Sequence, residues 1–240
     1  MNNNFEQAMA NGVALQLKGN HEAALESRRE AYFIAEPDSI EQGRAARDMS
    51  ASFDRLNQPE NAWTYALEAA AIHGNLAIAD VEDMSVRREL GASQIYAGAI
   101  GLRSTIVIEL ETGDIDTQKA DSSIHMFTDA NKNLEKTETH RPDQYRINGV
   151  RRWALAEGLY GKAIRGLYLG VKAGALATIS ESPLFVQNAA QEMKIYEKLK
   201  VRARGVAGSA VAVAVSALGV FEPVKKRTRR LALMLANKAL

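Results

Sequence analysis

The sequence predicts an all-helical fold, and three observations predict it. Apolar residues recur at the helical period along almost the whole chain, strand-like alternation is scarce, and turn-forming residues punctuate the chain at regular places. The 240 residues are 46% hydrophobic and 25% charged, which is enough to bury a full core. With only 17 Gly and 5 Pro and no low-complexity tract, the composition excludes a disordered or collagen-like chain. The absence of cysteine excludes disulfides, thiolate metal sites, iron–sulfur clusters and thiol catalysis.

The elements follow in order. Phe5, Met9, Val13 and Leu17, spaced four apart, predict a first helix. Gly19-Asn20 breaks it, and Ala24, Ala31 and Ile34 mark a second helix joined to the first by a tight turn. Later breaks fall at Pro37-Asp38, Asn57 to Pro59, His73-Gly74-Asn75, Thr112-Gly113-Asp114, Arg141-Pro142, Gly158 to Gly161, Ser180 to Pro183 and Glu222-Pro223, which leaves about eleven helices. The β-rich run Ser104 to Leu110 continues a helical pattern with no turn residue before it, so it reads as the buried end of a long helix. Val211 to Val215 alternate Ala and Val with no pairing strand nearby. Ser182-Pro183 and Pro223 are helix openings, since Pro loses nothing at the first helical position.

Gly205 to Phe221 is the one candidate membrane span. It is uncharged but short for a bilayer and poor in Leu, Ile and Phe, so a buried helix packed through small residues is the expectation. Met1-Asn2-Asn3-Asn4-Phe5-Glu6 lacks the basic and apolar regions of a secretory signal, so a cytoplasmic location is expected. Charge is unevenly spread. Residues 1–140 hold 12 Lys/Arg and 23 Asp/Glu, a net −11, whereas residues 141–240 hold 18 and 6, a net +12. Such asymmetry suits a basic binding face, or head-to-tail self-association of the acidic half with the basic half.

The strongest signal is internal. Gly12, Gly19, Ala24 and Ala31 are separated by 7, 5 and 7 residues, and Ser50, Asn57, Ala62 and Ala69 repeat that spacing 38 residues later. Small residues are wanted where two helices of a hairpin approach closely, and Gly or Asn where the turn is left-handed. Gly19-Asn20-His21-Glu22-Ala23-Ala24-Leu25, followed by Ala31 and Pro37, resembles a tetratricopeptide repeat. The second unit has Asn57-Gln58-Pro59-Glu60-Asn61-Ala62 at its turn and no closing Pro after Ala69. A third hairpin turns at Thr112-Gly113-Asp114-Ile115, and a fourth is read at Gly158-Leu159-Tyr160-Gly161-Lys162-Ala163-Ile164, with Arg151 and Gly170 at small-residue sites.

The resemblance implies a right-handed α-α superhelix of about five helical hairpins with a C-terminal capping helix, in one domain over residues 1–240. Residues 1–75 match best, 76–180 are divergent repeats, and 181–240 form a basic helical extension. It also implies a non-enzymatic scaffold or adaptor whose concave groove, lined by the first helix of each hairpin, holds a protein or peptide. In that register Arg44, Arg47 and Ala51 face the groove from the second unit, and Tyr145, Asn148 and Arg152 from the fourth. Arginine forks and an Asn amide hold carboxylates or peptide backbone, and Tyr adds flat apolar area. Against this, Arg44 and Asp48 also read as an ordinary i, i+4 surface pair.

Two basic runs offer another reading. Lys194, Lys198, Lys200, Arg202 and Arg204, with Lys225, Lys226, Arg227, Arg229 and Arg230, suit phosphates of a nucleic acid or an anionic membrane surface. The last run also reads as a cap whose Leu231, Met234 and Leu235 close the array, and neither run has the aromatic interleaving of single-strand stacking. Catalytic and metal signals are missing. His21, His73, His125 and His140 stand alone and read as turn or surface residues, with no zinc spacing among them. Asp114, Asp116 and Asp121 lack the Gly and Glu of a calcium loop, no phosphate loop follows Gly158, and Glu109 and Glu111 lack the Glu-x-x-His pairing of di-iron bundles. No cofactor is expected.

Overall fold

A computed structural model describes residues 3–137 and 144–180, together with residues 229, 230, 233, 234, 236 and 237. The described residues form eight helices and no strand: α1 (Asn3–Leu17), α2 (His21–Ile34), α3 (Ile40–Arg55), α4 (Pro59–Ala79), α5 (Met84–Thr112), α6 (Thr117–Thr137), α7 (Gln144–Tyr160) and α8 (Ala163–Ser180). The all-α class read from the periodicity is therefore correct. Ser182-Pro183, Val211 to Val215, Pro223 and the 205–221 stretch lie outside the described residues. Among the described residues no helix is long and apolar enough to cross a membrane. The chain divides into two compact units, Met1–Gly101 with Lys132–Thr137, and Leu102–Asn131 with Glu138–Leu240.

In the first unit α1 packs on α2, α2 on α3, and α3 on α4. The buried face of α1 is Phe5, Ala8 and Gly12, a 3,4 spacing. A strict spacing of four gains about 40° per step on a helix of 3.6 residues per turn. Val13 and Leu17 accordingly rotate off that face and are 47% and 84% exposed. Phe5 and Ala8 close a core with Ala31, Ala35 and Ala45, flanked by Met9, Tyr32 and Ile34. Aromatic rings tie α2 to the next hairpin: Phe53 stacks on Tyr65 at 5.3 Å, and Tyr32 meets Tyr65 edge-on at 6.4 Å.

The 38-residue repeat has a backbone counterpart. Gly19 and Asn57 both adopt left-handed conformations, with φ of 78° and 56°. Around the first turn, Gly19 N donates to Gln16 O, Asn20 N to Leu15 O, and Ala24 N to Asn20 O. Around the second, Asn57 N donates to Asp54 O, Gln58 N to Phe53 O, and Ala62 N to Gln58 O. Every donor and acceptor is displaced by 38 residues, so α1–α2 and α3–α4 end and restart in the same way. The next helices are capped by sequence-local means: Asn20 Oδ1 accepts from Ala23 N, Ser39 Oγ from Gln42 N, and Pro59 opens α4.

The small residues of the spacing meet as expected. Ala24, Ala31, Ala62 and Ala69 are fully buried, as is Ser50. At Gly12 a methyl would stand 3.0 Å from the Arg28 side chain and 3.4 Å from the Ala24 carbonyl, so glycine there makes room for an arginine stem.

His73-Gly74-Asn75 is not a break. α4 runs through it to Ala79, because His73 is fully buried and anchored at both ring nitrogens, and Gly74 lies close to Leu90 of α5. A helical Gly costs about 1 kcal/mol against Ala, which tertiary contacts of this kind offset. The Ser104 to Leu110 run is indeed interior to a long helix, with Thr105 and Ile106 fully buried. That helix stops at Gly113, φ 83°, and Asp116 caps α6 by accepting from Lys119 N at 2.9 Å.

In the second unit α7 packs on α8, but three residues out of the register that the sequence suggests. Gly158 is inside α7, and the turn lies at Gly161-Lys162. A methyl on Gly166 would stand 2.8 Å from Gly158 N and 2.9 Å from Ala154 O, so the two backbones nearly touch. The residues that fill the hairpin pattern are thus Ala154, Gly161, Gly166 and Ala173, again 7, 5 and 7 apart, in place of Arg151, Gly158, Ala163 and Gly170. Leu233 and Ala236 are buried, while Met234 is 49% exposed. Met234 therefore does not belong to the buried face, and Leu231 and Leu235 lie outside the described residues.

Candidate functional site

An ionic chain crosses the first unit and includes two of the groove residues read from the sequence, Arg44 and Arg47. On α3, Arg44 and Arg47 are three apart and share one side of the helix. Both reach Glu89 of α5: Arg44 Nε and Nη2 donate to Oε1 at 2.9 and 2.7 Å, and Arg47 Nη1 donates to Oε2 at 2.7 Å. Arg47 and Glu89 are buried, and the Arg44 side chain is 38% exposed. Burial alone would push the Glu89 carboxyl up, but Arg47 and Arg44 outweigh it and hold it below its usual range.

The chain continues through Asp48, whose carboxylate lies 4.0 Å from both Arg47 Nε and Arg28 Nε. Arg44 and Asp48 are therefore not simply paired with each other. Arg28 of α2 is buried and spans three helices, donating through Nη2 to Gln16 Oε1 of α1 and through Nη1 to Ser52 Oγ of α3, both at 2.5 Å. Near the Arg44–Glu89–Arg47 cluster, His73 Nδ1 lies 2.9 Å from Ser93 Oγ and Nε2 lies 3.2 Å from the Ile40 carbonyl. A carbonyl only accepts, so Nε2 carries the proton and Nδ1 accepts from the serine hydroxyl. Burial lowers the His73 pKa, and neutral imidazole is the form this site holds. The expectation that His73 is a turn or surface residue is corrected by that position, whereas His125 is exposed.

The fourth-unit residues Tyr145, Asn148 and Arg152 are all half-buried on α7, at the helical spacing of one stripe. They lie in the second unit, and Ala51, also half-buried, in the first. Next to them, Arg146 is buried and its Nε donates to Asn131 Oδ1 at 3.4 Å.

A second buried acid, Glu157, locks the α7–α8 turn. Its Oε1 accepts from Trp153 Nε1 at 3.2 Å and pairs with Arg165 at 3.4 Å, while Oε2 accepts from Lys162 N at 2.9 Å. Arg165 also covers the Trp153 ring, 5.1 Å from its centroid. Of the basic runs, Arg229 and Arg230 are described, and Lys194, Lys198, Lys200, Arg202, Arg204, Lys225, Lys226 and Arg227 lie outside the described residues. Arg230 is exposed. Arg229 makes a two-point pair with the buried Glu109 and lies over the Tyr160 ring at 5.7 Å. Burial and the Glu109 carboxylate push the Tyr160 phenol above its usual range.

Glu89, Arg28 and Glu157 were not singled out by sequence reasoning. Glu89 is 42 and 45 residues from its partners, and no local spacing points to it. Arg28 carries a faint signal, since it follows the small residue Ala24 by one turn and faces Gly12. Among the described residues, no group of three or more His, Asp or Glu side chains is placed to hold a metal ion. No protein-family model matches this chain, and no curated protein matches it.

Proposed function

We propose that the protein is a non-enzymatic scaffold of helical hairpins, arranged as a tetratricopeptide-like superhelical array, that binds a protein or peptide along the face formed by α1, α3 and α5. The observation that carries this reading is the pair of turns at Gly19 and Asn57, whose hydrogen bonds repeat at a 38-residue displacement. Repeated hairpins place their first helices side by side, and extended ligands lie across such a row. On that face Arg44 keeps exposed surface, with Ala51 two turns along the helix, which suits a peptide whose carboxylate meets the guanidinium. A cytoplasmic setting is part of the same proposal.

The test is selection of binding peptides from a random displayed library against the intact protein, followed by titration of the selected peptide against variants. Arg44→Ala and Ala51→Glu should weaken it about tenfold while leaving helicity unchanged. Undiminished binding by both variants sinks the groove. Binding to a phosphate polymer that vanishes at moderate salt and depends on the basic runs would transfer the function to residues 194–230.

A further inference from the structure

Two exposed apolar surfaces of this chain carry opposite charge. In the first unit, the corner between α4 and α5 leaves Ile78, Val81 and Met84 at 78%, 53% and 47% exposure. Asp80 and Glu82 are exposed among them. The corner has a fixed backbone. Asp80 Oδ1 accepts from Glu82 N and Asp83 N, Asp83 Oδ1 accepts from Ser85 N and Val86 N, and Arg87 Nε donates to Val81 O at 2.7 Å. Three apolar side chains are thus held outward by a well-bonded turn.

In the second unit, α8 presents Ile164 and Tyr168, four residues apart and 84% and 67% exposed. Lys162 and Arg165 are exposed beside them, and Lys172 extends the same stripe. Apolar residues exposed together mark contact surfaces.

We propose that the Ile78–Val81–Met84 corner docks the Ile164–Tyr168 stripe of a second copy of this chain. Charge complementarity selects the occupant. The corner lies in the half of the chain with net −11 and the stripe in the half with net +12. A two-fold contact of corner on corner would oppose carboxylates, and stripe on stripe would oppose cations, so the complementary arrangement is head-to-tail. A head-to-tail contact is heterologous, and assembly through it grows with concentration.

Two double variants test it. Ile78→Lys with Glu82→Lys reverses the corner, and Lys162→Glu with Ile164→Glu reverses the stripe. Ile78→Lys places a cation near the end of α4 and the stripe variant places anions at the start of α8, as those helix ends favour, whereas Glu82→Lys precedes the start of α5 and opposes its dipole; circular dichroism checks that both variants fold. In sedimentation velocity at low salt, the parent should form concentration-dependent oligomers whose dissociation constant rises about tenfold or more in moderate salt. Each variant alone should sediment as a monomer. Their equimolar mixture should associate, because the corner variant retains its stripe and the stripe variant its corner. A parent that stays monomeric, or variants that still assemble alone, overturns the proposal and leaves these surfaces to a different partner. Monomeric variants that fail to combine also overturn it, since the two surfaces then do not meet.

Discussion

The His73 ring lies against the backbone of Gly43: a methyl on Gly43 would stand 2.5 Å from His73 Nε2 and within 3 Å of two further ring atoms. The ring cannot retreat without giving up the Ile40 carbonyl and Ser93. Gly43→Ala should therefore destabilise the protein by about 1–3 kcal/mol in urea denaturation, although alanine is the better helix former. In a His73→Ala background the same change should become neutral or stabilising. Equal costs in both backgrounds would show that the ring is not the obstacle.

The Arg44–Glu89–Arg47 cluster predicts unequal losses. Glu89→Gln strips the countercharge from a buried arginine and should cost about 3–5 kcal/mol. Arg44→Ala leaves Arg47 on Glu89 and removes a half-exposed partner, so about 1 kcal/mol is expected. A double-mutant cycle between Arg44 and Glu89 isolates the coupling; additive losses would mean that their fork adds nothing of its own.

Acid should act in two stages. The His73 pKa is lowered by burial, so the unfolded chain takes up a proton first as pH falls below the ordinary value of 6.5. Stability is therefore highest above that value and declines beneath it. Glu89 is also depressed, so its contribution is present above the ordinary 4.5 and is lost as pH falls through its folded value. Denaturant melts from pH 8 down to about pH 2 check this, and His73→Gln should flatten the upper stage alone.

Glycines in this chain fall into two classes with different expected costs. Gly19 has φ of 78° and nothing within 4 Å of an added methyl, so Gly19→Ala meets backbone strain of about 1 kcal/mol. Gly19→Asn should be nearly silent, because Asn57 occupies the matching turn. Gly166→Ala instead drives a methyl into the backbone of α7 and should cost more than Gly19→Ala. Thermal melts should rank Gly19→Asn as the most stable of the three, then Gly19→Ala, then Gly166→Ala.

Arg229 discriminates a structural role from a phosphate-binding one. Its guanidinium is held by buried Glu109, so Arg229→Ala should lower stability by about 3 kcal/mol and change affinity for a phosphate polymer little. Arg230→Ala should leave stability intact. A reversed pattern would favour the basic surface.

The turns at Gly19 and Asn57 were legible because glycine and asparagine are the residues that adopt left-handed backbone cheaply, and the buried alanines because close helix contact demands them. What escaped has physical reasons. His73-Gly74-Asn75 resembles a break in composition, yet burial of the imidazole holds that helix together. Spacing alone places the fourth hairpin three residues early because Gly158 and Gly161 both suit a turn, and only the near contact of Gly166 with Gly158 decides between them. Arg44 and Arg47 were found as a stripe, but their countercharge belongs to a helix two elements further on, which no spacing within α3 encodes.

Arg28 of α2 reaches Gln16 on its own hairpin partner, α1, and Ser52 on α3 of the next hairpin. Opening α1 alone would leave that buried guanidinium without one of its acceptors. The two helices of this hairpin should therefore open as one unit, and amide protons of α1 and α2 should exchange on a single schedule.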